Sequence, residues 1–336
     1  MQTPNSAAPV LVADIGGTNA RFGLVDVTGS QALIDDSSRR YRAANFASFH
    51  DAMRHYLVET GVRPVSAVIA AAGPRVDDEV RLTNIPWRIS RAALEFEFGL
   101  TSATLINDFA AMGLCVPLLR PGDIVDIGVP RASITAHSNR TFAIVGPGTG
   151  LGVGALLVRD GRITALETEG GHMSFAPRDG EEIEILHRLT ARFGRVSNER
   201  LLCGSGLVNL YGVLCEIDGS TPLASSPEEI MQRVESDLTC RRAVEKFREL
   251  LGAVAGDLVL AFGAWDGVYL TGGLPPELAP WLQQGGFRHR FEDKGRFSEA
   301  MKRVPTTVVL RADAGLLGAA ACALIEAGRT DSLLSR

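Results

Sequence analysis

Carboxylates, amides and an imidazole gather at three points of this chain: Asn107-Asp108, Glu169-Gly170-Gly171-His172 and Ser197-Asn198-Glu199-Arg200. Each group stands at the end of an expected element, where a rigid scaffold can aim side chains into a cleft. Carboxylates and amides bind vicinal hydroxyls well, because each exchanges two directional hydrogen bonds. Few positive groups accompany them, so the set suits a polyol better than an acidic substrate. Asp108 follows the apolar run Thr104–Ile106 and is the best-placed general base. In phosphoryl transfer the transition state is loose, so an aspartate of near-normal acidity suffices to orient a hydroxyl and take its proton late. Taken singly, Asp108 is equally a helix N-cap. Glu169 and His172 are equally a turn-stabilising pair, and a lone Glu-x-x-His is a weak metal signal when the other His and Cys are dispersed.

A second chemistry is written in glycine. Asp14-Ile15-Gly16-Gly17-Thr18-Asn19 and Gly146-Pro147-Gly148-Thr149-Gly150-Leu151-Gly152 each lie between two apolar runs that read as strands. Glycine reaches φ > 0 and lets backbone amides approach an anion closely. Either turn alone is an ordinary Gly-rich hairpin turn. Two of them point to a duplicated α/β architecture that holds a nucleotide between its halves. Asp14 closes the first strand, where a carboxylate can hold Mg2+, usually through water, beside phosphates. It can also simply cap its own turn.

The common phosphate loops are excluded. The chain has three lysines, Lys246, Lys294 and Lys302, and none follows a glycine, so a Walker A loop cannot exist. Glycine recurs at every second position over 146–154, and no register gives G-x-G-x-x-G, so neither the dinucleotide turn nor the protein-kinase loop is supported. Cys203-Gly204-Ser205-Gly206 resembles a nucleophile elbow only superficially.

The elements that must position these groups alternate. A hairpin over 10–27 is followed by Phe46, Phe49, Met53 and Leu57 at helical spacing, then by a strand Val65–Ala72 that stops at Gly73-Pro74. Ser90 reads as the N-cap of a short helix ending at Gly99, ahead of a strand at 103–106. From about 140 the pattern restarts with a hairpin, helices near 180–193 and 198–216, and a long helical stretch over 238–264. The strand at 267–270 empties into Thr271-Gly272-Gly273. A last strand, Thr306–Arg311, precedes a helix over 313–327 whose Gly315, Gly318 and alanines allow close packing against an earlier element.

Bulk composition narrows the class further. At 336 residues, 46% hydrophobic and 22% charged, the chain is long enough for two domains of a soluble globular protein. A formal charge of −5 argues against nucleic acid as a partner, and the Arg pairs at 39–40 and 241–242 read as solvated faces. Five scattered cysteines without C-x-x-C spacing fit a reducing compartment. Met1–Pro9 has no signal-peptide pattern, and no apolar run reaches the ~20 residues of a membrane span. A cytoplasmic protein is expected.

Over nearly its whole length the chain resembles the bacterial ATP-dependent glucokinase family. The resemblance is carried by Leu11–Arg21, Ile106-Asn107-Asp108-Phe109, Gly148–Gly152, Glu169–His172, Glu199-Arg200 and Thr271-Gly272-Gly273, with Thr83-Asn84, Gly206–Tyr211 and Phe291–Phe297 as further similar stretches. It implies the actin-like ATPase (ribonuclease H-like) α/β fold, two lobes around a nucleotide and sugar cleft. A small domain would span 1–112 plus 312–336 and a large one 113–311. It implies transfer of the ATP γ-phosphate to the 6-hydroxyl of glucose, with Asp108 as base and Asn107, Asp108, Glu169, His172 and Glu199 on the sugar. Ala13, Asp14, Ile15, Gly16, Gly17, Thr18, Gly148, Thr149 and Gly150 would face the phosphates, Gly272 and Gly273 the adenosine, and Asp14 a Mg2+ ion. A homodimer is implied by the resemblance alone.

Two positions qualify it. Pro147 stands where a small residue is expected, and its missing N–H removes one possible phosphate donor. Met173–Gly180 has no cysteine, unlike the zinc loop of related sugar kinases that include repressors. Two rivals remain: a kinase for another hexose, and a nucleotide-binding regulator. The regulator would need a DNA-binding segment, and nine residues precede the first strand.

Overall fold

Residues 8–29, 31–73, 75–82, 84–135 and 139–334 are described by a computed structural model of the chain. Pro74 and Thr83, most of the Met1–Pro9 segment and the last two residues lie outside them.

Strand β1 (Val10–Ile15) is buried along its whole length, as befits an apolar run with neighbours on both sides. It pairs antiparallel with β2 (Asn19–Val25), and β3 (Arg39–Arg42) adds outside β2. The Ser48 hydroxyl accepts the Asp51 amide to start α1 (Phe49–Thr60), and Gly61 at φ 67° ends it. β4 (Ser66–Ala71) returns parallel to β1. A three-stranded ribbon of β5 (Arg75–Val76), β6 (Glu79–Arg81) and β7 (Arg88–Ser90), too short to announce itself in hydrophobic periodicity, leads into α2 (Arg91–Phe98). Ser90 caps that helix and Gly99 closes it, as the spacing predicts. β8 (Ser102–Asn107) runs parallel to β4 and opens directly into α3 (Asp108–Leu114).

The second half begins with β9 (Ile124–Ile127) and the hairpin β10 (Arg140–Pro147) and β11 (Leu151–Arg159), followed by β12 (Arg162–Thr168). Helices α4 (Gly180–Phe193), α5 (Gly204–Ile217), α6 (Pro227–Arg233) and α7 (Leu238–Phe262) precede β13 (Gly267–Leu270). Then come α8 (Leu274–Leu282), α9 (Gly286–Glu292), α10 (Ser298–Met301), β14 (Thr306–Val309), α11 (Ala314–Glu326) and α12 (Thr330–Leu334).

The duplication is visible in the topology. One sheet runs β3-β2-β1-β4-β8 and the other β12-β11-β10-β13-β14, with β9 added at its edge. In both, three antiparallel strands are followed by two parallel ones. Each Gly turn therefore joins the first two strands of an equivalent unit.

Helices α3 and α11 lie between the sheets. One continuous core joins Val12 and Val68 of the first sheet to Ile144 and Leu156 of the second through Ala111, Ala319 and Ala320. The helix pair is close because Gly318 lacks a side chain: a Cβ there would lie 1.8 Å from the Ala111 carbonyl oxygen.

One expected helix is corrected. The segment predicted as helical from 198 makes only a single turn at Asn198–Arg200, and α5 starts at Gly204. Cys203 is extended at φ −150° and its thiol accepts the Gly206 amide, so the helix cannot begin earlier.

Candidate active site

Asn107 ends β8 and Asp108 opens α3, at the seam between the two sheets. The Asn107 side-chain oxygen accepts the amides of Phe109 at 2.8 Å and Ala110 at 3.2 Å, so it is the N-cap. Asp108 Oδ1 also meets the Phe109 amide, at 2.9 Å. Burial pushes the Asp108 carboxyl up to about 6, reinforced by the Asp14 and Glu169 carboxylates and opposed by the backbone amides. The near-normal acidity expected from sequence gives way to a carboxyl that titrates closer to neutrality.

Asn107 and Glu169 line one cavity of about 420 Å³, together with Leu105, Ile106, Gly73 and Thr168. From Glu169 the acidic side continues as an arc. His172 Nε2 stands 3.8 Å from Glu169 Oε2, and His172 Nδ1 stands 3.9 Å from Glu199 Oε1. Those separations are too long for hydrogen bonds. The turn is closed instead by backbone bonds, His172 N–H to the Glu169 carbonyl at 3.0 Å and Met173 N–H to that of Gly170 at 3.1 Å. The Glu169 side chain, 89% exposed, therefore does not hold its turn together and is free for a ligand.

At the first Gly turn, Asp14 is buried. It faces Arg21 across the β1–β2 pair, and Arg21 Nη1 donates to its Oδ2 at 3.0 Å. Among the described residues no turn amide bonds to it, so Asp14 is not the cap of its own turn. Burial pushes its carboxyl above the usual aspartate range, while Arg21 pulls it down. The start of α11 closes over it, since a Cβ on Gly315 would lie 2.7 Å from Asp14 Oδ1. The Gly16 amide donates to the Asn19 carbonyl at 3.0 Å to close the turn. Among the described residues the amides of Gly17 and Thr18 have no such partner. Ala13 and Ile15 have core side chains.

The second turn is equally selective. The Gly148 amide closes it on the Gly150 carbonyl at 2.8 Å, and the Leu151 amide donates to Glu199 Oε2 at 2.9 Å. Among the described residues the amides of Thr149 and Gly150 are left over. Pro147 does not disturb them. The Thr271 amide donates to the Val145 carbonyl, so the alternation of the strand turns the nitrogen of residue 147 toward Thr271 and Gly272, away from the turn tip. Gly272 packs there at φ 90°, with room for no side chain: a Cβ would lie 2.9 Å from the Pro147 carbonyl oxygen.

Four participants escaped sequence reasoning. Arg21 is the partner of Asp14, Asn84 packs against Gly17, the Leu151 amide anchors Glu199, and Phe109 seats α3. The first pair was legible in principle, as opposite charges directly across a hairpin, each two residues outside its Gly16–Asn19 turn; the others depend on contacts between the two sheets or distant segments.

Among the described residues no cluster of three or more His, Cys, Asp or Glu forms a metal cage. Mg2+ is commonly held by one or two carboxylates plus substrate phosphates; Asp14 supplies one carboxylate, and the unpaired Gly17 and Thr18 amides beside it can hold phosphate oxygens. Among the described residues no helix is long and apolar enough to cross a membrane.

Two ribonuclease H-like units, two backbone turns facing one seam, and an acidic arc beside them define a sugar kinase of the actin-like ATPase fold. A family model described as Glucokinase matches residues 11–325. The glucokinase of Xanthomonas oryzae pv. oryzae is 52% identical over 319 residues, 94% of this chain and 95% of its own. That of Stenotrophomonas maltophilia is 51% identical over 324 residues, 95% and 96% of the two chains. The crystal structure of a glucokinase from an Antarctic psychrotroph superposes with a TM-score of 0.85 at 34% identity, covering 94% of this chain and 98% of that one. The chain belongs to the glucokinase family and is an ATP-dependent sugar kinase.

Proposed function

We propose that the seam carries the γ-phosphate of ATP to the 6-hydroxyl of D-glucose, giving glucose 6-phosphate and ADP, with Asp108 as the base. The observation that carries this is the place of Asp108: at the first position of α3, between the acidic arc and the buried Asp14. Asn107, Glu169, His172 and Glu199 hold the remaining sugar hydroxyls, and Asp108 accepts the hydrogen bond of the attacking one. A pKa near 6 leaves Asp108 mostly ionised at neutral pH and close enough to working pH to accept a proton as the new P–O bond forms. The Gly17, Thr18, Thr149 and Gly150 amides provide four donors aimed at phosphate oxygens from two turns. Mg2+, bound through Asp14 and water, would neutralise charge on the phosphates. Asp14, already paired with Arg21, would present its other oxygen toward such an ion. Gly273, beside which an added Cβ would meet nothing within 4 Å, leaves room for the adenosine next to Gly272.

A division into 1–112 with 312–336 and 113–311 is supported by the two sheets, although the boundary at 112–113 falls within α3. Sugar binding closes the two halves and excludes water, limiting wasteful ATP hydrolysis. Cytoplasmic residence is supported by five free, buried cysteines. Glucose and ATP are the proposed partners, with a homodimer on the family resemblance.

The test is ADP release by purified protein across a panel of hexoses. Glucose is expected to give the largest kcat/KM. Faster turnover of fructose or mannose would overturn the substrate assignment.

A further inference from the structure

The second phosphate turn is braced from the sugar side. Glu199 Oε2 accepts the Leu151 amide at 2.9 Å, and the Gly148 carbonyl accepts the Gly204 amide at 2.8 Å. Both braces come from the 199–204 segment, where the chain leaves the single turn at Asn198–Arg200 and enters α5. Gly150 gives the carboxylate its room, since a Cβ there would lie 2.6 Å from Oε2. The other oxygen, Oε1, looks along the acidic arc toward His172.

The geometry points to Glu199 as a positioning residue for the Gly148–Gly150 turn, acting through the Leu151 amide and coupling sugar affinity to nucleotide affinity. The inference rests on the assignment of this turn to the phosphates. With the Leu151 amide tied down and the Gly148 amide spent inside the turn, the Thr149 and Gly150 amides are the ones presented. A sugar hydroxyl donating to Oε1 holds the same carboxylate in the rotamer that braces the turn. By linkage, whatever a bound sugar does for nucleotide affinity, a bound nucleotide does for the sugar.

The sign of the effect separates this role from simple charge. A carboxylate beside a polyphosphate repels it, so removing Glu199 should by charge alone tighten nucleotide binding. Loss of the brace should weaken it.

The experiment is calorimetric titration of a non-hydrolysable ATP analogue with Mg2+ into the full chain, without and with glucose. Wild type, Glu199→Gln and Glu199→Ala are compared. Gln keeps an acceptor oxygen and loses the charge; Ala loses both. Without glucose, Glu199→Ala is expected to bind the analogue about tenfold more weakly than wild type, the scale of one lost hydrogen bond to a charged acceptor. Glu199→Gln is expected to bind as well as wild type or better. Glucose should tighten analogue binding in wild type and much less in Glu199→Ala. Unchanged or tighter binding by Glu199→Ala without glucose overturns the role. If that variant does not fold, Gly150→Ala decides, because it keeps Glu199 and displaces its carboxylate. Wild-type analogue affinity in a folded Gly150→Ala protein overturns the inference as well. A wild type that binds the analogue but makes no ADP with glucose sinks the kinase assignment alone, and one that binds no analogue sinks both.

Discussion

The ring of Phe109 fills the space that a side chain on residue 152 would need: a Cβ on Gly152 would lie 2.3 Å from its Cδ2 and Cε2. A Cβ on Gly146, opposite Gly152 on β10, would lie 2.5 Å from the same ring, and one on Gly154 3.5 Å from it. The alternating glycines of the second hairpin thus do two jobs. At the tip they leave the Thr149 and Gly150 amides without a partner among the described residues, and along the strands they make a trough for the residue that follows Asp108.

Gly152→Ala should therefore injure catalysis from a position that touches no substrate. The added methyl displaces Phe109 and with it the start of α3. Overpacking of this kind costs about 1–3 kcal/mol of stability, and a misplacement of about 1 Å at a reacting group can cost on the order of 100-fold in rate. Steady-state kinetics should show the loss mainly in kcat. A folded variant with wild-type kcat would show that the trough does not position Asp108.

The rate should follow the ionisation of Asp108. Burial with Asp14 and Glu169 nearby sets its carboxyl at about 6, so kcat/KM is expected to fall below about pH 6 as the base takes a proton. An acid limb centred near 4 instead would mean that Asp108 titrates normally or is not the base.

The same group links activity to stability, with a sign opposite to that of a salt-bridged aspartate. Its folded-state value lies above the 3.8 of an ordinary aspartate, so the folded protein holds the proton more tightly. The stability this contributes is fully present below about pH 4 and is lost as pH rises through about 6. At neutral pH the ionised carboxylate costs up to about 3 kcal/mol. Asp108→Asn should recover part of that in a neutral urea melt, gain little near pH 4, and lose about 10²–10⁴ in kcat. Equal loss of stability at both pH values would mark a structural role.

A contrasting variant lies in the helical part of the second half. Glu182, fully buried at the start of α4, accepts Arg290 Nη1 at 2.7 Å and the Arg178 amide at 2.8 Å, with Lys246 Nζ at 3.7 Å. Glu182→Ala strands a buried arginine, which typically costs about 3–5 kcal/mol. Chemical denaturation should show that loss while kcat of the folded protein stays near wild type. A change below about 1 kcal/mol would mean that water replaces the carboxylate.

Much of the scaffold was legible because its signals are local. Ser90 and Gly99 bracket α2 as their types predict, and β1 and β10 announce themselves as apolar runs before glycine turns. The ribbon β5–β7 was not, since two or three residues give too short a period to read. Pro147 misled for a related reason. Its lost donor is real, but which way the nitrogen points depends on the pairing of β10 with β13.

The amino-acid sequence by itself determined the chemical inventory: two lysine-free glycine turns, an aspartate ending the first strand, and three carboxylate-bearing element ends in an order that resembles one family. Residue type and spacing along the chain suffice for that, because turn preference and hydrophobic period are properties of neighbours. Only the tertiary structure decided what each group does to another. It brought Asp14 and Glu169 near enough to raise Asp108, spent the Leu151 amide on Glu199, and seated Phe109 among glycines otherwise read as phosphate room alone. Coulombic fields, burial and close packing act through space, and the segments involved are separated by tens of residues or more.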